Sequence, residues 1–194
     1  FRSFAGVASN LVAGDTNGAQ DVFVHDRQSG TTERVSLSTG GAEGNSVSQF
    51  PWLSGDGRLV TFHSNASNLV AGDTNGFPDI FVRDRLSGTT ERVSVSTGGA
   101  QGNSASDYPS ISADGRFVTF HSVATNLVAG DTNGWQDVFV RDRRASGFTS
   151  LCDPGLAGVI PCPCSNPPAG PGQGCDISSS TGGRPSVPSS PWAT

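Results

Sequence analysis

The phrase Leu-Val-Ala-Gly-Asp-Thr-Asn-Gly is spelled three times in this chain, beginning at Leu11, Leu69 and Leu127. Each copy runs on into Asp-[Val/Ile]-Phe-Val-x-Asp-Arg, so the sequence repeats with a period of 58 residues. Long periods of this kind belong to propellers, solenoids and arrays, in which one unit cannot bury its own apolar face and must stack on its neighbours. A second block recurs in step with the first. Leu59-Val60-Thr61-Phe62-His63-Ser64 matches Phe117-Val118-Thr119-Phe120-His121-Ser122, and Phe1-Arg2-Ser3-Phe4 falls in the same register, so the chain starts inside a strand of an incomplete first unit.

The apolar pattern within a unit has period two or runs of three, bounded by Gly, Asn, Asp and Ser, which predicts strands joined by turns and no helix. Three consecutive apolar residues in Asp21-Val22-Phe23-Val24, Asp79-Ile80-Phe81-Val82 and Asp137-Val138-Phe139-Val140 must point to both faces of a sheet, so this strand is expected to be covered on both sides. Arg34-Val35-Ser36-Leu37-Ser38 and Arg92-Val93-Ser94-Val95-Ser96 alternate and predict an outer strand with one wet face. A fourth strand is expected around Phe50-Pro51-Trp52-Leu53-Ser54 and Tyr108-Pro109-Ser110-Ile111-Ser112. Four short antiparallel strands per unit, packed face to face, describe a β-propeller blade. A β-solenoid is the rival, but its coils are usually much shorter. The fold class expected is therefore all-β, a partial propeller of about two and a half blades over residues 1–150.

From residue 151 the composition changes. Nine of the 12 prolines lie between Pro154 and Pro191, among Gly and Ser, and all four cysteines, Cys152, Cys162, Cys164 and Cys175, fall here. Residues 151–194 are expected to be a loop segment stapled by two disulfides and ending in a linker, which implies an oxidising compartment. Zinc is the alternative, though the spacing lacks paired Cys-x-x-Cys knuckles and a nearby His. Met is absent throughout, which predicts a processed product or a piece of a longer chain.

Charge narrows the partners. Twelve arginines and no lysine face 17 acidic residues, a net charge of −5. That balance disfavours nucleic acid and anionic membrane surfaces. No apolar run is long enough for membrane insertion as a helix. Without lysine there is no Walker A loop, no Ser-x-x-Lys and no Schiff base; Gly-x-Ser-x-Gly and His-Glu-x-x-His are also missing.

The sharpest chemical candidate is the repeated Asp-Thr-Asn-Gly-x-x-Asp, comprising Asp15, Asn17 and Asp21; Asp73, Asn75 and Asp79; Asp131, Asn133 and Asp137. Alternating oxygen side chains ahead of a Gly, with a further carboxylate beyond it, are the ligand set of a shortened calcium loop, and with two carboxylates per loop the affinity would be on the order of 10⁻⁴–10⁻³ M. The competing reading is an Asx-turn, with the Asp side chain bonded to its own backbone and Asn-Gly at positive φ. Ser54-Gly55-Asp56-Gly57-Arg58 and Ser112-Ala113-Asp114-Gly115-Arg116 read as hairpin turns built on Asp-Gly. His63 and His121, in matched positions, are expected to be structural, and His25, which aligns with Arg83 and Arg141, a surface or inter-blade contact. Asp26-Arg27, Asp84-Arg85 and Asp142-Arg143 read as local ion pairs.

Pro109-Ser110-Ile111-Ser112-Ala113-Asp114-Gly115-Arg116-Phe117-Val118-Thr119-Phe120, with its variant from Pro51 to Phe62, resembles the repeat of the TolB-like β-propellers, a WD40-like (PD40-type) family of exported bacterial proteins. The downstream Asp-[Val/Ile]-Phe-Val-x-Asp fits the same repeat, and the resemblance covers about residues 1–148. The 58-residue period is longer than the usual blade. The resemblance implies a periplasmic, cell-surface or extracellular location and a non-catalytic role in binding a protein or cell-envelope partner. A rival function is a propeller that gates substrate for a hydrolase domain outside this chain. Unpaired blade faces at the two ends predict self-association.

Overall fold

The computed structural model describes residues 1–144, which are all-β and antiparallel. The Cys- and Pro-rich segment, its disulfides and its zinc alternative lie outside the described residues. The strands are β1 (Arg2–Gly6), β2 (Asp21–His25), β3 (Thr32–Arg34), β4 (Ser48–Leu53), β5 (Leu59–Ser64), β6 (Asp79–Asp84), β7 (Thr89–Arg92), β8 (Ser106–Ile111), β9 (Phe117–Ser122) and β10 (Asp137–Asp142). They form three sheets in the orders β1-β2-β3, β4-β5-β6-β7 and β8-β9-β10. The middle sheet is a complete four-stranded blade. Among the described residues the first blade lacks its inner strand and the third its outer strand, which makes the architecture a partial β-propeller.

Register explains why the blades stack. Phe4 pairs with Phe23, Phe62 with Phe81 and Phe120 with Phe139 across neighbouring strands, and each pair of rings stacks at 5.6–5.9 Å. Because side chains alternate along a strand, Phe81 faces one way and Ile80 and Val82 the other. The first core accordingly joins Val22, Val24 and Val35 of the first blade to Val60, Phe62 and Phe81 of the second. The second joins Ile80, Val82 and Val93 to Val118, Phe120 and Leu127 of the third. The hydrophobic core lies between blades, as expected where no unit can bury its own faces.

The middle strands β2 and β6 are buried on both faces, as their apolar runs require. The outer strand differs from expectation. It ends at Arg34 and Arg92, and the serines meant for a wet face, Ser36 and Ser94, are fully buried. The cause is polar: Ser94 Oγ donates to Asp79 Oδ1 at 2.6 Å and accepts the Ile80 amide, and Ser36 does the same for Asp21 and Val22. Asp21 and Asp79 are themselves fully buried, so these hydroxyls satisfy carboxylates removed from water.

Asp-Gly hairpins join β4 to β5 and β8 to β9 as anticipated. Gly57 and Gly115 sit at φ 72° and 71°, and the Asp56 and Asp114 carboxylates accept the Arg58 and Arg116 amides. The two turns touch across the blades, the Gly55 amide donating to the Ala113 carbonyl at 2.8 Å.

Candidate functional site

The Asp-Thr-Asn-Gly loops resolve into two motifs with separate jobs. Asn17, Asn75 and Asn133 make Asx-turns, each side-chain oxygen accepting the amide two residues on, at Ala19, Phe77 and Trp135. Gly18, Gly76 and Gly134 follow at φ 66–71°. The Asn Nδ2 in turn donates to Asp21, Asp79 or Asp137. Sequence reasoning assigned the turn to the Asp side chain; the Asn makes it, because its oxygen stands two residues before the free amide.

The aspartates of the first two loops are drawn into an arginine centre. Arg34 Nη1 lies 3.1 Å from Asp15, 3.3 Å from Asp21 and 2.8 Å from Glu43. Arg92 repeats this with Asp73 at 3.1 Å and Asp79 at 3.2 Å. Glu43 is held below the usual carboxylate range, first by the side-chain and backbone donors of Thr16 and also by Arg34. Burial and the neighbouring Asp79 push Asp73 up, against the pull of Arg92. The loops thus bring together the predicted Asp15/Asn17/Asp21 and Asp73/Asn75/Asp79, with a guanidinium between the carboxylates. Calcium would have to displace that guanidinium. In the third loop Asn133 and Asp137 are bonded to each other at 2.8 Å, and no described basic group reaches Asp131 or Asp137. Among the described residues no three His, Cys, Asp or Glu side chains are placed to hold a metal ion.

The sequence-adjacent Asp-Arg pairs are not partners. Asp84 takes a bidentate contact from Arg58 of the hairpin turn, at 2.9 and 2.6 Å, which holds its carboxyl far below the ordinary range. Asp142 takes the equivalent contact from Arg116. Arg85 and Arg143 reach back to Glu33 and Glu91 of the preceding blade. Asp84 and Asp142 end β6 and β10, facing the Asp-Gly turn of their own blade, whereas Arg85 and Arg143 stand in the turns that follow and turn to the blade before, so Asp and Arg in succession find different partners. Arg83 and Arg141 likewise donate to the Ser38 and Ser96 carbonyls of the preceding unit, whereas His25 bonds Thr32 within its own blade.

A feature that sequence reasoning missed lies on the inner strands. Phe50 and Tyr108 adopt φ 51° and 53°, left-handed values that cost a residue with a side chain about 1–2 kcal/mol each. Both sit in bulges of β4 and β8, where the pairing skips between Gln49 and Trp52 and between Asp107 and Ser110. The bulges bring the two rings within 5.0 Å of each other, and each ring also packs 5.8 Å from a histidine, Phe50 on His63 and Tyr108 on His121. The rings stay exposed, Phe50 at 44% and Tyr108 at 59%, beside Trp52 at 56%. The signal available in the sequence was an aromatic-Pro pair at matched positions, Phe50-Pro51 and Tyr108-Pro109, but nothing local announces a left-handed backbone there.

No protein-family model and no curated protein matches the chain. Solved structures similar to it include a protein assigned as TolB from Agrobacterium tumefaciens, with TM-score 0.44 and 20% identity over 67% of this chain and 36% of that one. TolB from Acinetobacter baumannii is similar at TM-score 0.40 and 20% identity, over 68% of this chain and 26% of that one. The tricorn protease is similar at 0.40 and 17%, over 66% of this chain and 10% of that one. The chain therefore spans well under half the length of each. The propeller assignment rests on the strand order and blade stacking described above.

Proposed function

We propose that this chain is a non-catalytic interaction module, a stack of propeller blades that binds another protein at its inner-strand edge within an exported bacterial protein. The observation that supports this reading is the Phe50–Tyr108 pair: two large rings side by side, exposed, and held in left-handed backbone in successive blades. Strain of this kind persists where it serves a site. Exposed aromatic side chains are the usual anchors of protein interfaces, because they cover much area at little cost in conformational entropy. A location in the periplasm or at the cell surface follows from the resemblance of the Ser-x-Asp-Gly-Arg repeat to exported propellers. The role does not depend on calcium, which in the first two units would compete with Arg34 and Arg92.

The test compares the native chain with a Phe50→Ser, Tyr108→Ser double variant, each immobilised and exposed to bacterial envelope extract. A protein retained by the native chain, purified and titrated against both, is expected to bind the native chain and lose roughly tenfold or more in affinity for the variant. Equal binding by a variant that melts like the native chain removes the inner-strand edge as the site.

A further inference from the structure

The junction between the second and third blades carries a titratable bridge that the junction before it lacks. His63 Nε2 of β5 lies 3.0 Å from Asp107 Oδ1 of β8. One period earlier the same two positions are Ala5 and Gln49, and Gln49 Nε2 donates instead to Gln20 Oε1 at 2.6 Å, a bond between two amides that do not titrate. The bridge is also joined to the strained aromatic pair. Phe50 packs on the His63 ring, and Tyr108, next in the chain after Asp107, packs on Phe50 and on His121. Left-handed backbone at Phe50 and Tyr108 costs about 1–2 kcal/mol each, so both conformations last only while these contacts hold them.

We propose that the His63–Asp107 bridge is a pH latch on the Phe50–Tyr108 edge, closed while His63 is neutral and opened when its ring takes a second proton. The neutral ring, with its proton on Nε2, donates to Asp107 and leaves Nδ1 as a bare acceptor. That nitrogen is buried, and no described group bonds to it. A second proton must go there, which sets an N–H without an acceptor and a charge inside a junction that excludes water, both of them costly. The charged groups around the ring are few. Asp107 comes from β8 and Asp79 from β6, the latter already engaged by Arg92 and Ser94; β4 offers Gln49 opposite the ring and the Phe50 side chain, and His121 of β9 stands opposite Asp107. Burial outweighs the attraction of the two carboxylates and keeps the His63 pKa below 6.5. The imidazolium is relieved by swinging out to water, which gives up the bond to Asp107 and the surface under Phe50. The two left-handed residues then relax to the ordinary β region, and the rings separate. The consequence, release of a bound protein on acidification, rests on the reading of this edge as a docking surface.

Tyr108 is the only tyrosine in the sequence, so its ring signals identify themselves. In the full chain alone, the nuclear Overhauser effect between the Phe50 and Tyr108 rings is followed from about pH 7 down to about pH 5, where an imidazole charges, together with the circular dichroism spectrum. The effect is expected at the upper limit and is expected to be lost with a midpoint below 6.5, the spectrum staying unchanged. His121→Gln is expected to keep this transition. His63→Gln, and His63→Ala combined with Asp107→Gln, which rebuilds the residues of the earlier junction, are each expected to give an effect that does not change with pH. A transition that survives the His63 changes or vanishes with His121→Gln, rings that stay together at every pH in the native chain, or a loss that comes only with the loss of the β spectrum overturns the proposal. These readings involve no partner, whereas equal partner binding by the Phe50→Ser, Tyr108→Ser variant strikes the docking surface and leaves the latch standing.

Discussion

His63 Nε2, on the second blade, lies 3.0 Å from Asp107 Oδ1 on the third. The ring is nearly buried and its Nδ1 has no partner, so the proton belongs on Nε2, facing the carboxylate, and the imidazole is neutral. Burial pulls its pKa below the ordinary 6.5, although Asp107 and Asp79 oppose the shift. A depressed histidine pKa means that, as pH falls below about 6.5, the unfolded chain takes up this proton before the folded chain does, and stability is lost. The melting temperature is therefore expected to decline below that pH. His63→Gln should flatten the decline, and an identical pH profile in the variant would show that another group carries it.

Arg92 stands between two carboxylates that are almost out of water, Asp73 and Asp79. Removing one partner of such a cluster leaves charge buried and uncompensated, which typically costs about 3–5 kcal/mol. Arg92→Gln is expected to fall in that range by urea denaturation, and adding Asp73→Asn should recover part of the loss. A cost below about 0.5 kcal/mol, the level of an ordinary surface change, would mean the cluster is solvated in solution.

Gly115 and Gly134 share φ 71° but not their surroundings. A methyl on Gly134 meets nothing within 4 Å, whereas one on Gly115 would lie 2.2 Å from Leu59 Cδ1. Gly134→Ala should cost only the backbone penalty, about 1–2 kcal/mol. Gly115→Ala should cost more by the displacement of Leu59 between blades, and Leu59→Ala should remove the difference. Equal costs in the two glycine variants would show that Leu59 gives way freely.

Calcium at about 10 mM, above the weak-site range, is expected to leave the melting temperature unchanged through the first two loops, since Arg34 and Arg92 already stand between their aspartates. A rise that disappears in Asp73→Asn would show that the ion displaces the guanidinium.

Much of the fold was legible because repetition and alternation are local. The run Ile80-Phe81-Val82 must expose side chains to both faces, and the stack of blades follows. Asp-Gly in Asp56-Gly57 and Asp114-Gly115 marks its own turn, because glycine readily takes positive φ. The candidate site was less legible. The aspartates of the Asp-Thr-Asn-Gly loops were picked out, but their partners Arg34 and Arg92 lie 19 positions further on, and only the closing of β3 on β2 and of β7 on β6 brings them back.

Asp84-Arg85 shows the same limit from the other side: adjacency suggested a pair, but the strand ends between them, and Asp84 meets Arg58 of its own blade while Arg85, in the turn, meets Glu33 of the blade before. Periodicity, the residue type at each turn and the absence of lysine are properties of the chain read one residue after another, and they determined an all-β stack of blades and which functional motifs are missing. Partners across blades and the left-handed twist that sets Phe50 beside Tyr108 depend on residues distant in sequence meeting in space. Only the tertiary structure decided them, because charge and shape complementarity act over ångströms and not along the chain.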